Sequence, residues 1–217
     1  MSALLRPINI IRLNLITTFS IFSTVALAIY CLLKLNRFTL YYWIVIYCII
    51  NASVEIIAFT FAIKGLNNIL FYYVLIFIEF FTIVQFLYTS SEVFSNIKKI
   101  YLLIFAYTLL LIIFFIFDST EHFSPYSGMF EAFMVFLFCL LYFVNQIKNP
   151  MFKNIVKVPM FWIISAFLIY YGCSWLILLG TQLLPIKQEL FIYIWEGQNI
   201  LNIIKNILIF VGFLWIQ

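Results

Sequence analysis

The chain has 217 residues, of which 66% are hydrophobic and only 9% are charged. A soluble globular domain carries about 25% charged residues, and a soluble core of this size could not bury so much apolar surface, so the composition excludes an ordinary soluble domain. The net charge of +4 comes from short basic clusters between apolar runs rather than from a continuous basic stripe. We therefore expect a lipid bilayer as the main partner and no nucleic acid.

Apolar runs separated by short polar connections fill the chain from end to end. A membrane-spanning helix needs about 20 mostly apolar residues, and seven segments reach or nearly reach that length. Every proline lies outside these segments or at an edge, as expected because proline removes a helix hydrogen bond. We predict one all-α domain over residues 1–217, a polytopic integral membrane bundle of about seven transmembrane helices. The segments in chain order are Leu13–Leu33, Leu40–Ile63, Ile69–Tyr88, Ile100–Phe117, Met129–Ile147, Met160–Leu179 and Phe191–Ile216.

The basic residues of the connections predict an orientation, because cytoplasmic loops carry an excess of Lys and Arg. One side of the membrane would hold four of them and the other side seven, so we predict the N-terminus outside and the C-terminus in the cytoplasm. The four are Arg6, Arg12, Lys64 and Lys187. The seven are Lys34, Arg37, Lys98, Lys99, Lys148, Lys153 and Lys157.

Ionisable side chains inside the segments are the unusual feature of this sequence. Glu55, Glu79, Glu131 and Glu196 lie within predicted helices, and Lys205 is the basic residue within them. A charged group near the bilayer centre costs about 2.5–3.5 kcal/mol on insertion scales, so these groups should face the bundle interior. With the predicted orientation, the four carboxyls lie from the midplane outward, which predicts an outward-facing polar pocket.

The seventh segment has the most polar interior. Asn199 and Asn202 join Glu196 and Lys205 on about half of its circumference, and that half must face protein or water. In the second segment, Asn51 lies one turn before Glu55 on the same face. The candidate ligand or ion site is therefore Glu55, Glu79, Glu196, Lys205, Asn51, Asn199 and Asn202. An ion pair between Glu79 and Lys205 would satisfy both charges, and hydrogen bonding between helices is the structural alternative for the Asn residues.

No nucleophile–base spacing, phosphate-binding motif or metal motif is visible, so we expect neither an enzyme nor a cofactor. His122, near Asp118 and Glu121, is interpreted as part of a solvated acidic loop rather than as a metal ligand. We expect a multi-pass protein of the cell membrane, in a bacterium the inner membrane. The favoured function is a sensory, receptor-like or accessory module that acts through a separate cytoplasmic or membrane partner and takes a small ligand or cation. The alternative is a proton- or cation-coupled transporter or channel that uses the intramembrane carboxyls.

Overall fold

The computed structural model describes residues 5–34, 41–64, 69–90, 97–117, 125–148, 154–183 and 188–216. Within these ranges the chain forms seven α-helices and one short 3-10 helix, Ile155–Lys157, and no strand. Each of the seven predicted segments contains a helix; Leu40 lies outside the described residues, and Trp215 and Ile216 follow the end of α7. The helices are α1 Leu5–Leu33, α2 Tyr42–Ile63, α3 Ile69–Ser90, α4 Ile97–Phe117, α5 Pro125–Lys148, α6 Pro159–Leu183 and α7 Gln188–Leu214.

The helix starts differ from the prediction where proline is involved. The α1 helix begins at Leu5 instead of Leu13 and contains Pro7 in its first turn. The α5 helix begins at Pro125 instead of Met129, and α6 begins at Pro159. Proline is tolerated there because the N–H groups of a first helical turn have no partner within the helix.

Six helices are long and apolar enough to cross a membrane. Their outward faces carry large exposed side chains such as Phe22, Leu102 and Ile147. So much exposed apolar surface suits a lipid environment and indicates a multi-pass membrane protein. In α4, the described apolar stretch is shorter, Ile104–Ile113. The six spans are Leu15–Leu33, Tyr42–Phe61, Tyr73–Ser90, Tyr126–Lys148, Pro159–Thr181 and Tyr193–Leu214.

The helices form a closed ring in which α1 packs against both α2 and α7. The α2 and α3 helices run antiparallel, as do α5 and α6, and α6 and α7. By contrast, α1 and α7 run parallel, because Thr17 bonds to Asn199 and Ser23 bonds to Asn206. The α4 helix packs against α3 and α5 and exposes much of its described surface.

One end of the ring interior is filled by apolar side chains. This apolar half lies toward the C-terminal end of α7, where its buried members include Ile209 and Phe213. Thr82, Gln85 and Gln146 are the buried polar side chains there among the described residues, and the Thr82 hydroxyl bonds back to its own helix. Other buried members of this half are Ile44, Val45, Ile83, Val84, Cys139, Ile163 and Ile164.

A close approach of α6 to α7 depends on Gly212. A Cβ at this position would lie 3.0 Å from a side-chain atom of Ile163 and 3.1 Å from the carbonyl oxygen of Pro159. Small residues allow helix backbones to approach closely in membranes, where packing rather than the hydrophobic effect drives helix association. By contrast, a Cβ built at Gly180, near the end of α6, would have no neighbouring atom within 4 Å.

We expect Gly212→Val to lower the free energy of unfolding in detergent by about 1–3 kcal/mol, because the new side chain forces α7 away from α6. Thermal unfolding followed by tryptophan fluorescence measures this change. Gly180→Val is the matched control, since it introduces the same β-branched residue without a neighbour to displace. Equal loss in the two variants would contradict the close approach at Gly212.

Candidate functional site

A buried lysine and a buried glutamate are joined through one tyrosine hydroxyl at the centre of the ring. Lys205 on α7 is only 1% exposed, and its Nζ donates to the Tyr47 hydroxyl oxygen at 2.8 Å. The Tyr47 hydroxyl donates in turn to Glu79 Oε1 at 3.1 Å. The sequence left open whether Glu79 and Lys205 form an ion pair, and in the described part of the chain the hydrogen-bonded connection between them passes through Tyr47. We call Lys205, Tyr47 and Glu79 the central triad.

Aromatic rings surround the ammonium group of Lys205. Its Nζ lies 4.3 Å from the centroid of the Tyr170 ring and 5.3 Å from that of Tyr47. Phe167 packs edge-on against Tyr47 at 5.3 Å between centroids. A cation over an aromatic face is stabilised by the ring quadrupole, and more strongly so away from water. The Tyr47 ring of α2 and the Tyr170 ring of α6 therefore replace part of the hydration that the Lys205 ammonium group loses on burial.

Asn51 adds a second donor to the same carboxyl oxygen. It lies one helical turn after Tyr47, so both side chains project from the same face of α2 toward α3. Its Nδ2 forms a short hydrogen bond to Glu79 Oε1. Glu79 Oε1 thus accepts from two residues of α2, which fixes the carboxyl against that helix.

Glu55 is held by α7 rather than by α3. Asn202 Nδ2 donates to Glu55 Oε1 at 3.1 Å and lies 2.9 Å from Ser20 Oγ and 3.3 Å from Thr24 Oγ1. An amide nitrogen carries only two hydrogens, so these three acceptors share them. Asn202 therefore connects α1, α2 and α7 at a single point.

Asparagines of α7 and hydroxyl residues of α1 form a polar contact that we call the α1–α7 seam. Asn199 Nδ2 donates to Thr17 Oγ1 at 3.2 Å, and Asn206 Nδ2 donates to Ser23 Oγ and Thr24 Oγ1, each at 2.9 Å. The three asparagines and the α1 residues at 17, 20 and 24 share the spacing of three then four residues, which keeps each set on one helix face. That spacing is a signal the sequence interpretation missed in α1. The seam consists of Thr17, Ser20, Ser23, Thr24, Asn199, Asn202 and Asn206.

Glu131 is a second carboxyl facing the centre, from α5. It is 3% exposed and lies within electrostatic reach of Glu79 and Lys205. Next to it, the Phe130 ring stacks on Tyr107 of α4 at 5.9 Å between centroids. Glu131 thus belongs near the central triad, although it was not among the predicted site residues.

Glu196 lies one turn before Asn199 on α7 and is farther from the central triad than the other predicted site residues. It is buried on α7 but precedes Lys205 by nine residues, which corresponds to about 13.5 Å along the helix axis. Two residues later, Gln198 accepts a hydrogen bond of 2.9 Å from Ser174 of α6. The structure therefore brings Glu55, Glu79, Lys205, Asn51 and Asn202 together, places Asn199 in the seam above them, and leaves Glu196 nearer the start of α7.

Most buried polar groups occupy one half of the ring interior, from the start of α7 to the central triad. The polar part of α7 runs from Glu196 to Asn206, a length of about 15 Å. Beyond Asn206, the buried α7 residues are Ile209, Gly212 and Phe213. The arrangement is a polar half closed at its base by the central triad, with the apolar half beneath it.

Several buried polar atoms of this site have no hydrogen-bond partner within the described ranges. Leaving a buried polar atom unpaired costs about 1–3 kcal/mol. Several such atoms on neighbouring helices therefore mark a candidate binding site for a polar ligand, an ion or water. Among the described residues, one further unpaired atom, Ser90 Oγ, lies outside the site. Those within it are Asn51 Oδ1, Glu55 Oε2, Tyr107 Oη, Glu131 Oε1, Tyr171 Oη and Asn202 Oδ1.

The described residues contain no group of three His, Cys, Asp or Glu side chains that could hold a metal ion. Asp118, Glu121 and His122 lie outside the described residues. The chain matches no family model, no curated protein and no solved structure. Its function must therefore be argued from the geometry of the site.

We expect Tyr47→Phe to lower the free energy of unfolding by about 1–3 kcal/mol. The change leaves a lysine donor without its acceptor and removes one donor from Glu79. Tyr193→Phe is the control, because Tyr193 is 59% exposed and loses the same hydroxyl. Thermal unfolding in detergent compares the two, and a Tyr47→Phe variant as stable as Tyr193→Phe would contradict the central triad.

Proposed function

We propose that all seven helices span the membrane. The direction of neighbouring helices supports this proposal. The α2 helix runs antiparallel to α7, because Asn202 meets Glu55 and Lys205 meets Tyr47. The α3 helix therefore runs parallel to α7, because α2 is antiparallel to both. The α5 helix also runs parallel to α7, because α6 is antiparallel to both. The α3 and α5 helices are thus parallel to each other. The chain must then return across the bilayer between them, and α4, with 21 residues and about 31 Å, has the length to do so.

The proposed orientation places the start of α7, and with it the polar half, on the outside. It rests on the excess of Lys and Arg on the opposite side, seven against four. Lys34, Lys148 and Lys157 are exposed at that opposite end. In this orientation they offer a cytoplasmic surface to an acidic partner or to anionic lipid headgroups.

The function we propose is a sensory or receptor-like membrane module with an outward-facing polar site, which passes its signal to a separate partner. One observation carries the proposal: buried polar groups concentrate between the start of α7 and the central triad, and apolar side chains predominate in the ring below it. A site with a closed base suits ligand occupancy better than passage across the membrane. The ring closure through the α1–α7 seam offers a route by which occupancy changes the packing of α7.

Single-cysteine labelling tests this one-sided arrangement on α7. The background is Cys173→Ser, because Cys173 is half-buried whereas the other three cysteines are buried. We expect a membrane-impermeant thiol reagent to label Asn199→Cys from outside the cell and to leave Ile209→Cys unlabelled from either side. Labelling of Asn199→Cys from the cytoplasm only would overturn the orientation. Labelling of Ile209→Cys would overturn the closed base.

The second candidate function is proton or cation transport. The observation that favours it is the Tyr47 hydroxyl, which accepts from an ammonium and donates to a carboxyl and so could relay a proton between them. This candidate ranks second because the described helices are unbroken, whereas many transporters interrupt helices at their sites.

We expect no proton or sodium flux above that of protein-free liposomes when the reconstituted protein is placed under an imposed gradient. The apolar half presents a dry barrier to ions. Wild type is compared with Glu79→Gln, with Glu196→Gln as the control carboxyl outside the central triad. Insertion is verified by labelling at Asn199→Cys. Flux that is lost in Glu79→Gln and kept in Glu196→Gln would make this protein a transporter or channel.

A further inference from the structure

Three unpaired oxygen atoms lie on the facing sides of α2 and α7. Asn51 Oδ1, Glu55 Oε2 and Asn202 Oδ1 are buried and accept no hydrogen bond within the described ranges. Asn51 and Glu55 are one turn apart on α2, and Asn202 bonds directly to Glu55. The hydroxyl oxygens of Ser20 and Thr24 border the same point from α1.

The donors nearby are already in use, which explains why these oxygens lack partners. Asn51 uses its Nδ2 on Glu79, and Asn202 divides its Nδ2 among Ser20, Thr24 and Glu55. In each amide the oxygen and the nitrogen are bonded to the same carbon, so the oxygen lies beside a nitrogen whose hydrogens are already engaged. The result is a set of acceptors without donors, which is the ligand chemistry that hard cations prefer.

The charges of the site select a monovalent ion. Lys205 acts electrostatically on Glu55, Glu79 and Glu131, so one positive charge faces three carboxyls among the described residues. Glu55 is the one carboxylate of this oxygen group, and its charge is matched by a single positive charge. The described residues hold no cluster of three metal-binding side chains, as a divalent ion would favour. Burying an unpaired carboxylate is strongly unfavourable, so a counter-ion stabilises the folded state.

We propose that Glu55, Asn51 and Asn202 bind a small monovalent metal cation, with Na⁺ as the ion to test. The proposal rests on the proposed function and names the ligand class of its outward-facing site. The bound ion contacts α2 and α7 and lies beside the α1 hydroxyls, so its occupancy links three helices of the ring. Binding or loss of the ion would change the packing of α7 against α1 and α2, which is a direct route to a signal.

Ion-dependent stability of the purified full-length chain in detergent tests the site. Unfolding is measured in NaCl and in choline chloride at equal ionic strength, together with direct binding of radioactive Na⁺. We expect Na⁺ at ten times its Kd to raise Tm by about 3 °C, because a ligand that binds only the folded state stabilises it. Glu55→Gln should lose both the Tm shift and the binding. Glu196→Gln, which changes a buried carboxyl nearer the start of α7, should keep both.

Each remaining outcome counts against the cation site. Absence of Na⁺ binding and of a Tm shift in wild type would mean that protons, not a metal cation, neutralise Glu55. A response that persists in Glu55→Gln, or that disappears in Glu196→Gln, would place the ion elsewhere. If Glu55→Gln fails to fold, Asn202→Ser replaces it, and undiminished Na⁺ binding in that variant overturns the proposal. If the cation site is wrong, Na⁺ binding is absent but the one-sided labelling of α7 is unchanged. If the proposed sensory function is wrong, ion flux or labelling of Ile209→Cys is observed instead.

Discussion

The cost of keeping one ammonium group inside a membrane is the constraint on which this structure depends. Lys205 is almost fully buried near the middle of α7, where water cannot solvate it. Three elements compensate: the Tyr47 hydroxyl accepts a hydrogen bond from it, the Tyr170 ring lies under it, and Glu79 offers an opposite charge that is linked to it through Tyr47. These partners come from α2, α3 and α6. The lysine therefore requires that four helices meet at one level of the bundle, and the rest of the ring is arranged around that meeting point.

The α1–α7 seam follows from the same physics with neutral groups. Hydrogen bonds between helices stabilise membrane bundles modestly, by about 0.6 kcal/mol on average, but they specify which faces meet. Asn199, Asn202 and Asn206 find hydroxyl partners on α1, so α7 is oriented by its polar face while its other faces meet lipid and α6. Closing the ring in this way makes α7 the helix shared by the seam, the central triad and the Glu55 group.

The interior of the ring is divided into a polar half and a predominantly apolar half. Polar groups concentrate between the start of α7 and Asn206, and unpaired oxygens concentrate at the base of that region. Below it, branched aliphatic and aromatic side chains predominate, with Thr82, Gln85 and Gln146 as the buried polar exceptions among the described residues. In the function we propose, this arrangement would retain a bound ion or ligand on one side of the membrane. Occupancy would then alter helix packing rather than lead to passage.

The sequence by itself determined the seven helices and the residues whose burial needed explanation. Both depend on local properties, since hydropathy summed over about 20 residues identifies a helix suited to lipid and any ionisable residue within it stands out. It did not identify Tyr47, because one tyrosine among fourteen carries no charge to distinguish it, nor the α1 hydroxyls, which are common in membrane helices. It also grouped Glu196 with the other carboxyls, although it lies about 13.5 Å along α7 from Lys205. Only the tertiary structure decided these points, because the rotation of each helix about its axis is set by packing against its neighbours, as at Gly212. That rotation determines whether two polar residues on different helices meet.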